Sequence, residues 1–263
     1  MQLAISYLRY LEQMLTGFRA AHEQRLAHLR AQDVRAWLDL RRPRTILDLA
    51  NGRLRPQYTL LRADGHRVSG VDLINRPRQD LTDVLYGVAR RIFAWRARVP
   101  LSVINGKTLV NGNVSRLPFA DSAFELVTSI AAFEHFLNVP DVVDEVARVL
   151  RPGGVAWVLI HPFTCLSGGH NVSLSQIPLR RIPAGIDAWD HLRQRHLPFH
   201  VPLNEWRIQQ YADEFARRFK IVKQYCAMRE GEEFLTPEIE RELSAYTRDE
   251  LTCDAYIIVA RKR

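Results

Sequence analysis

Apolar residues near the start of the chain repeat at helical spacing. They are Leu3, Leu8, Leu11, Leu15 and Phe18. Val34, Trp37 and Leu38 continue the same period, and Asp33 is of the type that caps a helix N-terminus. The pattern predicts N-terminal helices over about residues 1–40, with Asp33 at the start of the second one.

From residue 44 onward, short apolar runs alternate with helical periods. The runs predict strands at 45–49, 67–72, 109–114, 124–130 and 155–160, and the helical periods predict helices at 56–63, 79–98 and 141–150. Arg151-Pro152-Gly153-Gly154 is a strong helix stop. Strands alternating with helices predict right-handed crossovers and a parallel sheet.

The C-terminal part of the chain has a different pattern. Residues 162–202 are rich in Gly, Pro, His and Arg without a clear period, which predicts a long excursion over one end of the sheet. The pattern then predicts helices at 204–219 and 237–246 and late strands at 220–226 and 255–260. No linker interrupts the chain. We therefore expect a single domain over 1–263, with N-terminal helices (1–40), a core (44–161) and an excursion with the last strands (162–263).

Composition and charge narrow the function classes. The chain has 263 residues, 47% of them hydrophobic and 25% charged, and it has three cysteines. No apolar run is long enough for a membrane span, and the start does not resemble a signal peptide. These features predict a reduced, cytoplasmic protein. The net charge is +8, almost entirely from arginines spread along the chain, and no aromatic-basic motif indicates a nucleic-acid partner.

Polar residues follow three of the predicted strands. Asp48 ends the first strand, Asp72 ends the second, and Asn113 follows the third. In doubly wound sheets, ligands bind at the carboxyl ends of the strands, where an acidic residue can accept hydrogen bonds from both hydroxyls of a ribose. The pattern predicts a ligand site at this edge.

Four segments in this order resemble the class I S-adenosylmethionine-dependent methyltransferases. They are Ile46-Leu47-Asp48-Leu49, Val71-Asp72, Leu117-Pro118-Phe119 with Phe124-Glu125-Leu126-Val127, and Glu145-Val146-Ala147-Arg148-Val149-Leu150-Arg151-Pro152-Gly153-Gly154. The resemblance covers about residues 44–161. It implies a Rossmann-like α/β fold with a seven-stranded, mostly parallel sheet, flanking helices and an antiparallel last strand. S-adenosylmethionine is the implied cofactor.

The resemblance also implies roles for individual residues. Asp48, Ala50 and Gly52 would form the loop around the methionine part and the ribose, and Asp72 would hold the ribose hydroxyls. Asn113 and Val114 would flank the adenine. Ile130 and Ala131 would line the far wall of the pocket. Asn113 stands where the family usually has an aspartate, and its amide oxygen can still accept a hydrogen bond.

The loop departs from the glycine-rich pattern of the family. Ala50 and Leu54 stand where glycines are usual, and Gly52 is retained. We expect Ala50 to be tolerated, because it adds one methyl group, and Leu54 to lie in the following helix and point away. Binding of the cofactor, a repurposed pocket and a lost pocket all stay open at this point.

Two histidines are candidates for proton transfer. His135 follows the fourth strand and His161 the fifth, and a histidine titrates near neutral pH. Neither these histidines nor Cys165 has the spacing of metal ligands, so we expect no metal site. Aromatic residues near the arginines of the excursion, Trp189 and Phe199 among them, predict either a pocket for an anionic small molecule or a small satellite core.

The preferred interpretation is a methyltransferase acting on a small molecule, such as a sugar or a secondary metabolite, by O-methylation. No Asn/Asp-Pro-Pro-aromatic motif follows the fourth strand, where Ala131-Ala132-Phe133 stands instead. A nucleic-acid substrate is therefore not expected, and the acceptor would be a small molecule, anionic or glycosylated. The alternatives are a non-catalytic binding or scaffold protein and a catalyst of another reaction on the same fold.

Overall fold

The computed structural model describes residues 10–75, 81–106, 108–171, 174 and 182–263. Within them, seven strands form one sheet: β1 (Thr45–Leu49), β2 (Arg67–Asp72), β3 (Leu109–Asn111), β4 (Phe124–Ile130), β5 (Leu150–Ile160), β6 (Phe219–Arg229) and β7 (Cys253–Lys262). The strand order is β3-β2-β1-β4-β5-β7-β6. The first five strands pair in parallel, whereas β7 is antiparallel to both β5 and β6. The predicted fold, including its antiparallel last strand, is confirmed.

Helices cover both faces of this sheet. They are α1 (described over residues 10–16), α2 (Phe18–Val34), α3 (Pro56–Ala63), α4 (Leu81–Ala97), α5 (Val139–Val149), α6 (Ile208–Arg218), α7 (Pro237–Glu242) and α8 (Arg248–Thr252). One face of the sheet packs against α5 and α6 through valines and aromatic rings, and the other packs against α2 and α3. None of the described helices combines the length and apolar character needed to span a bilayer.

Two strand boundaries in the core differ most from the sequence prediction. The third strand ends at Asn111, because the next residues leave the sheet in a turn closed by Asn113. The fifth strand starts at Leu150 because the Pro-Gly-Gly segment forms an irregularity in the pairing with β4. Gly153 has a φ of 74°, which a glycine adopts without strain. The single-domain division of 1–263 stays a prediction.

The prediction for Asp33 is wrong. The helix does not restart there, since α2 runs through to Val34 and Asp33 lies in its last turn. Its carboxylate is buried and accepts hydrogen bonds from Trp157 Nε1 (2.9 Å) on β5 and Tyr225 OH (2.8 Å) on β6. Lys223 Nζ also donates to it. Asp33 therefore joins the C-terminal end of α2 to the sheet.

Candidate cofactor cleft and the neighbouring histidine cluster

A cleft of about 280 Å³ opens at the carboxyl ends of β1 and β4. It is lined by Tyr10, Arg19, Glu23, Asp48, Ala50, Asn51, Gly52, Arg53, Leu54, Pro56, Gln57, Tyr86, Ile130 and Ala131. Five of the eight predicted cofactor residues are among these: Asp48, Ala50, Gly52, Ile130 and Ala131. The volume is near the lower end for small-molecule sites, and the cleft is open to solvent on one side.

Asp48 contributes a buried carboxylate to the cleft. Its Oδ2 atom has no hydrogen-bond partner within the described chain. Burial raises the pKa of Asp48 to about 7, and the nearby Arg30 guanidinium opposes this rise. A buried acceptor without a donor is costly, so this oxygen is suited to a cationic or N–H donor from a ligand.

The loop after β1 is held in left-handed backbone conformations. The φ angles of Ala50 and Gly52 are 54° and 65°. An alanine in this region is strained by about 1–2 kcal/mol, so the missing glycine at position 50 is tolerated at a cost. Leu54 lies in the turn before α3 rather than in the helix, which corrects that prediction. Its side chain is buried in an apolar cluster with residues of α3 and α4, where it helps to fix the loop.

Asp72 anchors the same loop from β2. Its Oδ2 atom accepts the backbone N–H of Gly52 (2.9 Å), and Oδ1 accepts that of Ile74 (3.1 Å). A carboxylate has about four acceptor sites, so each oxygen can accept a further hydrogen bond. Asp72 is outside the lining of the cleft but one hydrogen bond from it.

Asn113 and Val114 are placed differently from the implied adenine contacts. The Asn113 side-chain oxygen accepts hydrogen bonds from the Ser115 backbone N–H (3.0 Å) and the Ser115 hydroxyl (2.9 Å). Both lone pairs of this oxygen are thus used within the turn. Val114 packs against the main core. Neither residue lines the cleft, and their role in cofactor binding stays a prediction.

A buried polar network behind the cleft was missed by the sequence analysis. Arg30 Nη1 of α2 donates to Gln57 Oε1 of α3 (2.7 Å) and to Thr128 Oγ1 of β4 (3.4 Å). Gln57 Nε2 in turn donates to Glu23 Oε2 (2.7 Å), which brings α2 into the cleft wall. The signal in the sequence was the spacing of Glu23, Leu26 and Arg30, which places two charged side chains on the same buried face of α2 as a leucine.

The segment after β4 places a second buried carboxylate beside His135. Both carboxylate oxygens of Glu134 are buried without a hydrogen-bond partner within the described chain. Burial raises the pKa of Glu134, while His161 and His135 act in the opposite direction. The His135 Nδ1 atom lies 2.9 Å from the Pro202 carbonyl oxygen, to which an Nδ1–H donates. This arrangement leaves a lone pair on Nε2, which lies 4.0 Å from Glu134 Oε1.

Both ring nitrogens of His161, the other predicted base, have partners within the protein. Its Nδ1 atom lies 3.1 Å from Asp254 Oδ1, and its Nε2 atom lies 3.2 Å from Ser167 Oγ. Burial lowers the pKa of His161, but contacts with Cys165 and Asp254 outweigh that effect and raise it well above its ordinary value. Because both nitrogens have protein partners, the geometry favours a structural role for His161.

A third histidine comes from the Ser167-Gly168-Gly169-His170 segment. A side chain at Gly168 would lie 2.3 Å from the Phe163 carbonyl oxygen, and one at Gly169 would lie 2.7 Å from His191 Cβ. The two glycines thus let this segment pack closely, and the His170 ring reaches 4.7 Å from that of His135 and 5.1 Å from that of His161 between centroids. His170 Nε2 is buried without a partner within the described chain.

The excursion also builds a satellite core. Trp189 is buried with Leu166, Leu235 and Leu251, and its Nε1 donates to the Leu251 carbonyl oxygen (3.1 Å). Phe199 lies beside Phe163, and the Arg195 guanidinium lies over both rings. Of the two interpretations of these residues, the structure supports the satellite core for Trp189.

The family model of a methyltransferase domain matches residues 47–158. This segment contains β1, β4 and the motifs that surround the cleft, on the sheet order described above. Residues 47–158 therefore match a methyltransferase domain, and their motifs are those of the class I S-adenosylmethionine-dependent family.

The curated relatives are similar to only part of this chain. It is 29% identical over 161 residues to a probable S-adenosylmethionine-dependent methyltransferase of Mycolicibacterium smegmatis, covering 56% of this chain and 61% of the relative. It is 31% identical over 124 residues to the ubiquinone/menaquinone biosynthesis C-methyltransferase of Paracoccus denitrificans, covering 47% and 44% of the two chains. The chain thus spans less than two thirds of the length of these curated relatives.

The likeness to one solved structure extends beyond the matched segment. A Listeria monocytogenes protein described as an S-adenosylmethionine-dependent methyltransferase superposes with a TM-score of 0.56 at 16% identity, covering 94% of this chain and 99% of that one. At this identity the likeness shows a shared fold.

Proposed function

We propose that the protein is an S-adenosylmethionine-dependent methyltransferase acting on a small molecule. The observation that carries the proposal is the cleft at the ends of β1 and β4, which holds a buried carboxylate oxygen of Asp48 with no donor within the described chain. The cofactor carries an ammonium group that suits this oxygen, and its sulfonium supplies an electrophilic methyl group when bound. The match of residues 47–158 to a methyltransferase domain supports the same conclusion.

The residues of the cleft have separate tasks in this proposal. Asp48 binds the ammonium group of the methionine part, and Asp72 accepts hydrogen bonds from the ribose while it holds the Gly52 N–H. Ile130 and Ala131 contribute apolar surface to the cleft wall. The chain then contributes mainly alignment, since positioning two reactants in a near-attack geometry can supply much of the rate enhancement.

We propose that the methyl acceptor binds over Glu134 and His135. These residues follow Ile130 and Ala131, which line the cleft at the end of β4. An oxygen acceptor must lose a proton during transfer, and the Nε2 lone pair of His135 is the group that this segment presents for that purpose. We therefore keep O-methylation of a small acceptor, such as a sugar or a secondary metabolite, as the proposed reaction. C-methylation is the alternative, since the Paracoccus denitrificans relative is named for it. A reduced, cytoplasmic location belongs to the same proposal.

Calorimetric titration with S-adenosylmethionine and S-adenosylhomocysteine tests the proposed function, and Asp72→Asn sharpens it. We expect both ligands to bind the wild-type chain. Loss of the charged ribose acceptor should weaken affinity by about 1.5–3 kcal/mol, roughly 10- to 150-fold. The exposed Asp64→Asn is the matched control and should bind as wild type. A well-folded wild-type sample that binds neither ligand would instead support the binding or scaffold alternative.

The pKa of Asp48 predicts a pH dependence of cofactor binding. Because this pKa is about 7, the carboxyl is mostly protonated at pH 5.5 and half ionised at pH 7. Affinity should therefore rise about 15-fold over that interval if the ammonium group needs the ionised form. Calorimetry of Asp48→Asn should show weaker binding at pH 7 and little change with pH. An identical pH profile in the variant would rule out this contact.

The same group predicts the opposite trend for folding stability. The folded state holds the Asp48 proton up to pH about 7, whereas an unfolded aspartate releases it near 4. The folded state thus binds more protons between these values. The contribution of Asp48 to the free energy of unfolding falls as pH rises through this window, and Asp48→Asn should remove that slope in denaturant titrations.

A further inference from the structure

Three potential metal ligands converge where the glycine-rich segment meets the end of β4. One ligand atom each from Glu134, His135 and His170 lies within 4.8 Å of the other two. Two imidazoles and a carboxylate form a donor set that suits divalent transition metals. The sequence spacing gave no sign of this group, because His170 comes from another part of the chain, 35 positions after His135.

The hydrogen bonds around the group leave its donor atoms available. His135 uses Nδ1 for the Pro202 carbonyl oxygen, which fixes the tautomer and leaves the Nε2 lone pair for a ligand. Glu134 has two buried oxygens and His170 a buried Nε2, all without a partner within the described chain. Buried polar atoms normally have partners, so three unpaired atoms in one cluster favour a site for a further ligand.

The dimensions of the group also fit an ion. With metal–ligand bonds of about 2.0–2.2 Å, two ligands of a tetrahedral site lie about 3.3 Å apart. Side-chain rotations that draw the ligand atoms together by about 1.5 Å or less would therefore complete the site. The close packing of Gly168 against Phe163 restrains the segment that carries His170.

Two other groups of potential ligands in the described chain are less suitable. His161 and Asp254 of the first group already pair with each other. In the second group, Asp190 accepts the backbone N–H groups of His196 and Leu197, and Asp187 and His196 are exposed. Neither group combines buried donor atoms with unused lone pairs in the same way.

We propose that Glu134, His135 and His170 bind one divalent transition-metal ion of the Zn²⁺ class. Three protein ligands leave a coordination position for water or for an oxygen of the acceptor. An acceptor hydroxyl bound there would lose its proton to water more readily, so the ion would take over the task assigned above to the free lone pair of His135. This use of the ion rests on the proposed function, whereas its binding does not.

Titration of the chelator-treated protein with Co²⁺ tests the site, because cobalt bound by nitrogen and oxygen ligands absorbs visible light. We expect one Co²⁺ per chain, displaced by one equivalent of Zn²⁺. Glu134→Gln and His170→Asn should each weaken Co²⁺ binding by about 100-fold or more, exceeding the effect typical of residues that only support a ligand. His196→Asn, in the exposed group, is the control and should bind Co²⁺ within twofold of wild type.

The variants also control for folding, since their metal-free melting temperatures can be measured beside the wild type. Glu134→Gln removes an unpaired buried carboxyl and should melt no lower than wild type without metal. A folded wild-type protein that binds no Co²⁺, or variants that bind it unchanged, would overturn the proposal. S-adenosylhomocysteine titrations on the same samples separate the two proposals: cofactor binding without Co²⁺ binding overturns only the metal site, and the reverse result overturns only the proposed function.

Discussion

Arg30→Met should lower the free energy of unfolding by about 3–5 kcal/mol at pH 8. Arg30 is 1% exposed, its guanidinium donates to Gln57 and Thr128, and its charge opposes the rise in the pKa of Asp48. Removing it leaves an ionised carboxylate and a glutamine oxygen buried without compensation. Denaturant titration measures the effect, which should be smaller at pH 5.5, where Asp48 is mostly protonated.

Two further variants show whether charge is the cause. Arg25→Met lies on the exposed side of the same helix and should change stability by less than about 0.5 kcal/mol. Adding Asp48→Asn to Arg30→Met should recover part of the loss, because the double variant no longer buries an unpaired anion. A loss below about 1 kcal/mol in the single variant, or strict additivity in the double variant, would show that the two groups are not coupled.

Asp33→Ala is expected to cost about 3 kcal/mol of unfolding free energy. The buried carboxylate is a common acceptor for Trp157 Nε1 and Tyr225 OH, and each stranded donor costs about 1–3 kcal/mol. Thermal unfolding followed by tryptophan fluorescence measures the change, and the buried indole should report the loss of its partner directly.

The contribution of charge at Asp33 can be separated from that of hydrogen bonding. Asp33→Asn keeps one oxygen acceptor and should lose less stability than Asp33→Ala. Lys223→Met removes the cation, whose side chain is 48% exposed, and should cost below about 1 kcal/mol. Equal losses in all three variants would contradict the hydrogen-bond account.

The core of the fold could be predicted because its signals are local. Buried parallel strands such as 45–49 read as continuous apolar runs, and the Pro-Gly-Gly stop marks the end of α5. The end of α2 could not be predicted, because Asp33 has the side chain of an N-cap and only the partners from β5 and β6 make it a buried helical residue. Sequence periodicity carries no information about such distant donors.

The residues of the site also fall into two groups, those with a local signal in the sequence and those positioned by distant contacts. Asp48, Gly52 and Ala131 could be predicted to line the cleft because each lies at the end of a strand or in the turn after it, and such positions converge at one edge of a parallel sheet. Glu23 was missed because α2, which lies outside the matched segment, brings it to the cleft, and Gln57 was missed because its buried partners come from that helix. His170 was missed because the close packing of Gly168 and Gly169, which positions its ring, depends on backbone contacts that the sequence does not show.

The buried contacts of α2 with the sheet limit which part of the chain can fold by itself. The segment matched by the family model, 47–158, includes Asp48 and Trp157, but their partners Arg30 and Asp33 both lie outside it. An excised 47–158 fragment would have to bury an indole N–H and a carboxylate without these partners. The matched segment is therefore shorter than the part of the chain that is needed for stable folding. Substitutions in α2 can consequently change the melting temperature while every family motif stays unchanged.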